Sequence, residues 1–259
     1  MHIGWIALVA LALTGSHQAE ADVLIEQLVT CHSIADRACL VAAARLSLLK
    51  DEALPPIAKR FYDFPREAQL LALSVIDGVD SARATELLVE VAKDKRPDPA
   101  VRALALDDLG ARHYPKLVAL LTSATTDPAP IVRVAAARGL ANHMTTRDQK
   151  VLATLLKVAR DPEASVRIEA LFGLGFSGQP EAGKALMGAL SDDVPDVRRA
   201  GAEGLGMVTH RPAVPRLVAL LDDSDKLLVH AVGRALKFQT GQDFGDNATR
   251  WHSWLDEQK

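Results

Sequence analysis

One phrase, an aspartate followed a few residues later by Val-Arg and a small residue, occurs four times in the chain. The Val-Arg pairs end at Arg102, Arg133, Arg167 and Arg198, so the steps between them are 31, 34 and 31 residues. After another 31 residues Val229 stands in the place of the arginine, in an altered fifth copy. Self-similarity at a period of about 20–50 residues indicates stacked repeats, none of which can bury its apolar face alone. The spacing therefore predicts a solenoid.

The apolar residues of the repeats recur at helical spacing, and no stretch alternates as a strand would. Each copy predicts a helix of about 12 residues, with aspartate at its start and glycine near its end. A second apolar helix lies between consecutive copies. We predict an all-α fold, a right-handed α-solenoid of about seven antiparallel helix pairs with an atypical C-terminal cap helix.

The repeated phrase, Asp-x-x-x-x-Val-Arg-x-x-Ala-x-x-x-Leu-Gly, resembles the HEAT repeat, and more closely the short variant named for phycobilisome lyases. The resemblance is good over 98–236 and loose over 22–97. It implies that the second helix of each pair lines a concave face, and that the recurrent aspartates and arginines pair along the stack. The residues of this structural ladder are Asp98, Arg102, Asp127, Arg133, Asp161, Arg167, Asp193 and Arg198. An anion-binding stripe of arginines is the alternative, disfavoured because an arginine bonded to aspartate is not free to hold a phosphate.

The sequence divides into four segments. They are a signal peptide at 1–21, irregular helical repeats at 22–97, regular repeats at 98–238 and a cap at 239–259. The cap is predicted because the last repeat needs its apolar face covered, and the final segment carries large apolar side chains at nearly helical spacing: Phe244, Trp251, Trp254 and Leu255. The alternative is an aromatic platform for a ligand.

The first residues predict export. Residues 3–13 are apolar throughout but too few to span a bilayer, and Ala19-Glu20-Ala21 fits the small-x-small cleavage pattern. Cleavage after Ala19 or Ala21 would give a periplasmic or extracellular protein without a membrane span. The alternative is an amphipathic first helix, and the lack of Lys or Arg before the apolar run favours it.

The two cysteines, Cys31 and Cys39, are eight residues apart. On one continuous helix they would lie about 12 Å apart, beyond disulfide reach. Residues 32–36 are of types that end and begin helices, so a helical hairpin could bring the sulfurs together, and an oxidising compartment favours the bond. A disulfide and two buried thiols both remain open.

Composition and motifs argue against several functions. The net charge is −3 and no basic block stands out, so nucleic-acid binding is not expected. The eight histidines are scattered, and no metalloprotease, nucleophile-elbow or phosphate-loop motif is present. We predict no metal, no cofactor and no catalytic residue, and hence a protein that is not an enzyme.

Positions one and five residues after each ladder arginine share a face of the second helix. If this face is the concave one, apolar residues stand at its centre with charged residues around them, a composition typical of protein-binding sites. The candidate binding residues are Val134, Arg138, Ile168, Phe172, Arg199 and Glu203. Packing of Ile168 and Phe172 between layers is the alternative.

The predicted function is that of a non-enzymatic scaffold or adaptor, a monomer that binds an unidentified protein or peptide on its concave face. Two alternatives remain. The resemblance alone implies a chromophore (bilin) lyase or isomerase, which export would fit poorly because bilins are attached in the cytoplasm. The other is a structural subunit of an envelope assembly.

Overall fold

The computed structural model describes residues 17–258, apart from residue 113 and residues 145–147. Within these residues every regular element is a helix and no strand occurs. The prediction of an all-α solenoid built from helix pairs is confirmed. The apolar run of the predicted signal peptide lies outside the described residues.

Fourteen helices form seven consecutive pairs in the described part of the chain, and a fifteenth follows the last pair. In chain order they are α1 (17–29), α2 (Arg37–Leu48), α3 (Leu54–Arg60), α4 (Arg66–Asp77), α5 (Ala82–Lys93), α6 (Pro99–Gly110), α7 (Leu117–Ala124), α8 (Pro130–Asn142), α9 (Gln149–Val158), α10 (Ala164–Phe176), α11 (Gly183–Ala189), α12 (Pro195–Leu205), α13 (Val214–Ala219), α14 (Lys226–Thr240) and α15 (Ala248–Glu257). We call the first helix of a pair its A helix and the second its B helix.

Contacts divide the described residues into two compact units, with the boundary between Pro115 and Lys116. The first unit holds α1 to α6 and the second holds α7 to α15. From the sequence, the regular repeats were expected to begin at residue 98. In the structure α6, which carries the first regular copy, packs against α5 and α4 and so belongs to the first unit.

The first unit is closed at one end by the hairpin between α1 and α2. Its turn ends where the Asp36 carboxylate accepts a hydrogen bond from the Ala38 amide at 2.8 Å, which caps α2. The turn brings Cys31 and Cys39 together in a disulfide, with 5.9 Å between the two Cα atoms. Ala21, at the predicted cleavage site, lies within α1 and is fully buried.

In the second unit the B helices α8, α10, α12 and α14 lie side by side in that order. Glycines allow this close approach. A Cβ added at Gly173 of α10 would lie 2.9 Å from the Ala141 Cα of α8, and one at Gly175 of α10 would lie 2.9 Å from the Gly204 Cα of α12. Glycine inside a helix costs about 1 kcal/mol relative to alanine, and here the space it leaves is filled by the neighbouring helix.

The repeated arginines join consecutive copies. Arg133, Arg167 and Arg198 each reach an aspartate of the next copy. That aspartate stands six residues before the arginine of the next copy, or before Val229 in the last one. The distances are 2.8 Å from Arg133 to Asp161, 2.8 Å from Arg167 to Asp192 and 3.7 Å from Arg198 to Asp223. The Nη1 atom of the same arginine donates to a carbonyl oxygen of its own copy, as Arg133 does to Asp127 at 3.0 Å. One guanidinium therefore bridges two layers.

Two details of the predicted ladder need correction. The carboxylate that Arg167 contacts is that of Asp192, and Asp193 offers only its carbonyl oxygen, to Arg198 at 3.4 Å. Asp98 stands four residues before Arg102 instead of six, and it accepts from the Ala100 amide at 2.8 Å. Arg102 donates to the Pro97 carbonyl oxygen at 2.8 Å.

The predicted capping role of these aspartates is also wrong for the middle copies. Asp127 accepts from the amide two residues on, that of Ala129, at 2.9 Å. Asp161, Asp192 and Asp223 make the same bond. Each thereby closes a turn that precedes the helix, and α8, α10 and α12 begin without a side-chain cap.

Helix α15 packs against α13 at the end of the second unit. Trp251 is fully buried there, and its Nε1 donates to the Gly245 carbonyl oxygen at 2.9 Å. Its ring lies edge-on to Phe244 at 4.8 Å and to Trp254 at 5.8 Å between ring centroids. The aromatic side chains thus pack on one another.

Candidate functional site: the B-helix face of the second unit

The candidate site lies on α8, α10, α12 and α14. Residues one, five and nine positions after the ladder arginine, or after Val229 in α14, follow one another at about one helical turn and so share a face of each helix. We call this the B face.

The predicted apolar residues of the B face are neither exposed nor part of the core. Val134 on α8 is half-buried, as are Ile168 and Phe172 on α10. Each side chain therefore contributes some packing between helices and also some accessible surface. The sequence left open whether these side chains line a binding groove or pack between layers. In the structure each of them does both in part.

The predicted charged residues of the B face are paired with their neighbours. Arg138 donates from Nε and Nη2 to one oxygen of Glu169, at 3.1 and 3.0 Å, which links α8 to α10. Arg199 contacts Asp196 of its own helix at 2.8 Å. Glu203 on α12 faces an arginine at the equivalent position of α14, at 3.8 Å. These ion pairs leave the surface close to neutral.

Sequence reasoning missed the next turn of the same face. Nine residues after the repeated arginine, or after Val229, three consecutive copies present a large apolar side chain to solvent: Phe176 at the end of α10 is 59% exposed, Met207 in the turn after α12 43% and Phe238 on α14 48%. We call these three residues the apolar row. The three residues share the same offset in the sequence, nine residues after the repeated arginine or Val229. The glycines near the helix ends, however, led to the prediction that each helix ends one turn earlier.

The members of the apolar row belong to adjoining copies, at the end of α10, just after α12 and on α14. A Cβ added at Gly175, next to Phe176, would lie 3.7 Å from the Met207 sulfur. Met207 also lines a cavity of about 330 Å³ between α12 and α14, together with Glu203, Gly206, Ala231 and Arg234. Because Phe238 lies one turn beyond Arg234, the row continues from α10 across α12 to α14.

The most perturbed carboxyl group lies elsewhere, on α6 of the first unit. Burial raises the pKa of Asp108 to about 7, and the negative charges of Asp77 and Asp107 add to the effect, whereas Arg112 opposes it. The Asp108 Oδ2 is buried and accepts no hydrogen bond from the residues that the structure describes. No group of three or more histidine, cysteine or acidic side chains suited to a metal ion occurs among the described residues.

Within the same described residues, none of the helices combines the length and apolar character that crossing a bilayer requires.

Comparison with known proteins identifies the repeats. The family described as HEAT repeats matches residues 54–141, 85–165 and 152–237. Phycocyanobilin lyase subunit beta of Nostoc sp. (strain PCC 7120) is 32% identical over 145 residues, which are 51% of this chain and 70% of that protein.

A solved structure shows a similar arrangement of helices. YibA of E. coli superposes with a TM-score of 0.62 at 17% identity, and the match covers 95% of both chains. The complex of CpcE and CpcF of phycocyanin lyase from Nostoc sp. PCC7120 gives a TM-score of 0.49 at 28% identity, covering 59% of this chain and 97% of that one.

The prediction that the chain is not an enzyme is contradicted by these relatives, because the Nostoc protein is a subunit of a lyase. The sequence search had required a complete set of catalytic groups within a single chain. A subunit of an enzyme assembly needs to contribute only part of such a set, so the absence of a known motif was a poor criterion.

Proposed function

Because the chain belongs to the HEAT-repeat family, in its phycobilisome-lyase-like type, we propose that it is a protein-binding subunit of a lyase-type assembly. The apolar row on the B face is the proposed docking surface for its partner protein. The exposure of three large apolar side chains at one repeated offset is the observation that carries this proposal.

Single exposed apolar residues are common on soluble proteins, but contiguous ones rimmed by polar groups are typical of interfaces. The three side chains of the apolar row belong to adjoining copies, so one partner surface can cover all of them. Covering a large apolar side chain contributes about 1.5–3 kcal/mol when burial is complete. Three of them could therefore supply much of the affinity of a typical complex.

The half-buried residues of α10 extend this surface. Phe172 precedes Phe176 by one helical turn and Ile168 precedes it by two. The ion pair of Arg138 with Glu169 stands beside them and the pair of Glu203 with an α14 arginine stands beside Met207. These charges are already compensated, so a partner can approach without leaving an uncompensated charge behind.

Affinity purification from native cells, with quantitative mass spectrometry, tests the docking surface. The variant Phe176→Asp places a charge within the apolar row and should abolish capture of the partner. Leu48→Asp is the matched control, because Leu48 is 79% exposed but stands at the end of α2 in the first unit, outside the B face. Loss of the partner with both variants, or with neither, would count against the docking surface.

Chromophore chemistry is the second candidate, supported by the lyase relative. The chain, purified together with its captured partner, should shift the absorbance of added phycocyanobilin and transfer it to a protein acceptor. An unchanged spectrum with the intact complex would argue against this candidate and leave the docking surface untouched.

We further propose that the chain is exported and cleaved after Ala19. This site leaves the fully buried Ala21 in place, and it also keeps Glu20, which contacts Arg45 at 2.5 Å. The disulfide between Cys31 and Cys39 is compatible with an oxidising compartment. Intact mass measurement of the protein from fractionated cells tests the proposal, and a cytoplasmic protein that retains Met1 would refute it.

A further inference from the structure

A second concave region lies between the A helices α9 and α11 of the second unit. It is a cavity of about 620 Å³ and shares no residue with the apolar row. Its lining residues fall into an apolar group and a charged group: Leu156, Ala159, Ala185, Gly188 and Ala189 form the first, and Arg160, Arg167, Glu181, Lys184 and Asp192 the second.

The cavity exists because α11 carries very small residues where it faces α9. A Cβ added at Gly188 would meet no atom within 4 Å. Gly188 stands ten residues before Arg198. The residues at the equivalent position of the neighbouring A helices are Lys157 in α9 and Ala219 in α13. The space is therefore particular to this layer and does not follow from the repeat itself.

The charges around the cavity favour an anion. Arg167 is held by Asp192 at 2.8 Å and by carbonyl oxygens of its own copy. Arg160 and Lys184 are exposed, and neither side chain makes an ion pair or hydrogen bond with another described residue. Two cations thus face one remaining carboxylate, that of Glu181.

The geometry points to a binding site for a small amphipathic anion, a carboxylate or sulfonate attached to an apolar body. The anionic group would lie between Arg160 and Lys184, and the apolar body would cover Leu156, Ala159 and Ala185. The volume lies within the range of small-molecule sites, about 300–1,000 Å³, and such sites combine an apolar lining with few polar groups. A bare phosphate would leave most of this lining uncovered.

Fluorescence titration with dansyl-aminohexanoate, which joins an aromatic body to one carboxylate, tests the site on the full chain. The uncharged amide of the same compound is titrated in parallel, and the difference between the two affinities measures how much the anionic group contributes to binding. We expect the carboxylate to bind at least tenfold more tightly than the amide, since hydrogen bonds to charged groups are among the stronger ones. Equal binding of the two compounds, or no binding of either, would overturn the proposal.

Four variants assign the binding to this cavity. Arg160→Gln and Lys184→Gln should each weaken binding of the carboxylate about tenfold, whereas Glu181→Gln should strengthen it. Lys157→Gln is the matched control, because it removes a cation of α9 that does not line the cavity. This variant should bind the carboxylate as tightly as the unaltered chain does. If Lys157→Gln weakens binding as much as Arg160→Gln, the attraction is a general charge effect and the site is refuted.

Filling the cavity gives a test that does not depend on charge. Gly188→Leu directs a side chain into open space, so the helix content should be unchanged by circular dichroism and binding of both compounds should be lost. Retained binding by a folded Gly188→Leu protein would place the ligand elsewhere.

Discussion

Asp108 gives the most quantitative prediction of stability, because its Oδ2 atom is buried without a hydrogen bond from any described residue and two other acids lie near it. Its pKa is raised from 3.8 to about 7. The folded state therefore holds the proton more tightly than the unfolded chain does. This stabilises the fold at acid pH, and the stabilisation is lost as the pH rises from about 4 to about 7.

The magnitude follows from the size of the shift. Three pKa units correspond to about 4 kcal/mol of free energy, and solvent access to a half-buried group reduces this to about 2 kcal/mol. Asparagine has nearly the same shape and no charge. We expect Asp108→Asn to raise the free energy of unfolding by about 2 kcal/mol at pH 8, and to change it little at pH 4.

Urea unfolding followed by circular dichroism at both pH values measures the difference. Asp80→Asn is the control, because Asp80 is an exposed acid of the same unit that forms no ion pair with any other described residue. It should change the stability by less than about 0.5 kcal/mol at either pH. The reasoning is refuted if Asp108→Asn gives the same difference at pH 4 and pH 8, or destabilises the protein at pH 8.

Three further predictions concern contacts that stabilise the fold. Arg133→Gln should lower the free energy of unfolding by about 2 kcal/mol, since it breaks the bridge between two layers. A loss of stability no larger than that of the exposed control Arg216→Gln would contradict the bridge. Trp251→Ala should cost about 3–5 kcal/mol in urea unfolding because its ring is fully buried, and a smaller loss than 1 kcal/mol would show that the cap contributes little. Reduction of the disulfide between Cys31 and Cys39 should lower the stability by about 2–3 kcal/mol, the entropy of closing a short loop, and an unchanged Tm in reducing buffer would refute this.

The repeat predicted the fold because a solenoid builds the same local contacts again in each layer. The offset of Arg133, Arg167 and Arg198 was enough to place the B helices side by side. The same spacing also favours Asp192 over Asp193, because Asp192 stands six residues before its arginine, as Asp127 and Asp161 do, and the prediction of Asp193 overlooked this. The spacing could not separate a helix cap from the turn that precedes the helix.

The candidate site was predicted in part. Ile168 and Phe172 were placed on the right face, but the most exposed part of that face, the apolar row, was overlooked. Glycine was taken as the end of each helix, whereas α14 continues past Phe238 to Thr240 and α10 ends on Phe176 itself. The half-buried state of Phe172 depends on the distance between neighbouring helices, which a pattern in one chain does not contain.

The cavity between α9 and α11 had no counterpart in the sequence-based predictions. Its apolar wall consists of alanine and glycine, which sequence reasoning treats as packing residues. Only the distance between the two helices turns the absence of a side chain at Gly188 into open space. Features made by missing side chains are therefore the hardest to predict from composition and periodicity.

The most direct test of the central claim, that a partner protein docks on the apolar row, is photo-crosslinking in living cells. A benzophenone amino acid replaces Met207 in one protein and Leu48 in the other, two exposed positions that belong to different units. We predict a single crosslinked protein partner from position 207 and none from position 48, and loss of the crosslink when Phe176→Asp is added. Crosslinking of the same partner from both positions, or from position 48 alone, would contradict the account.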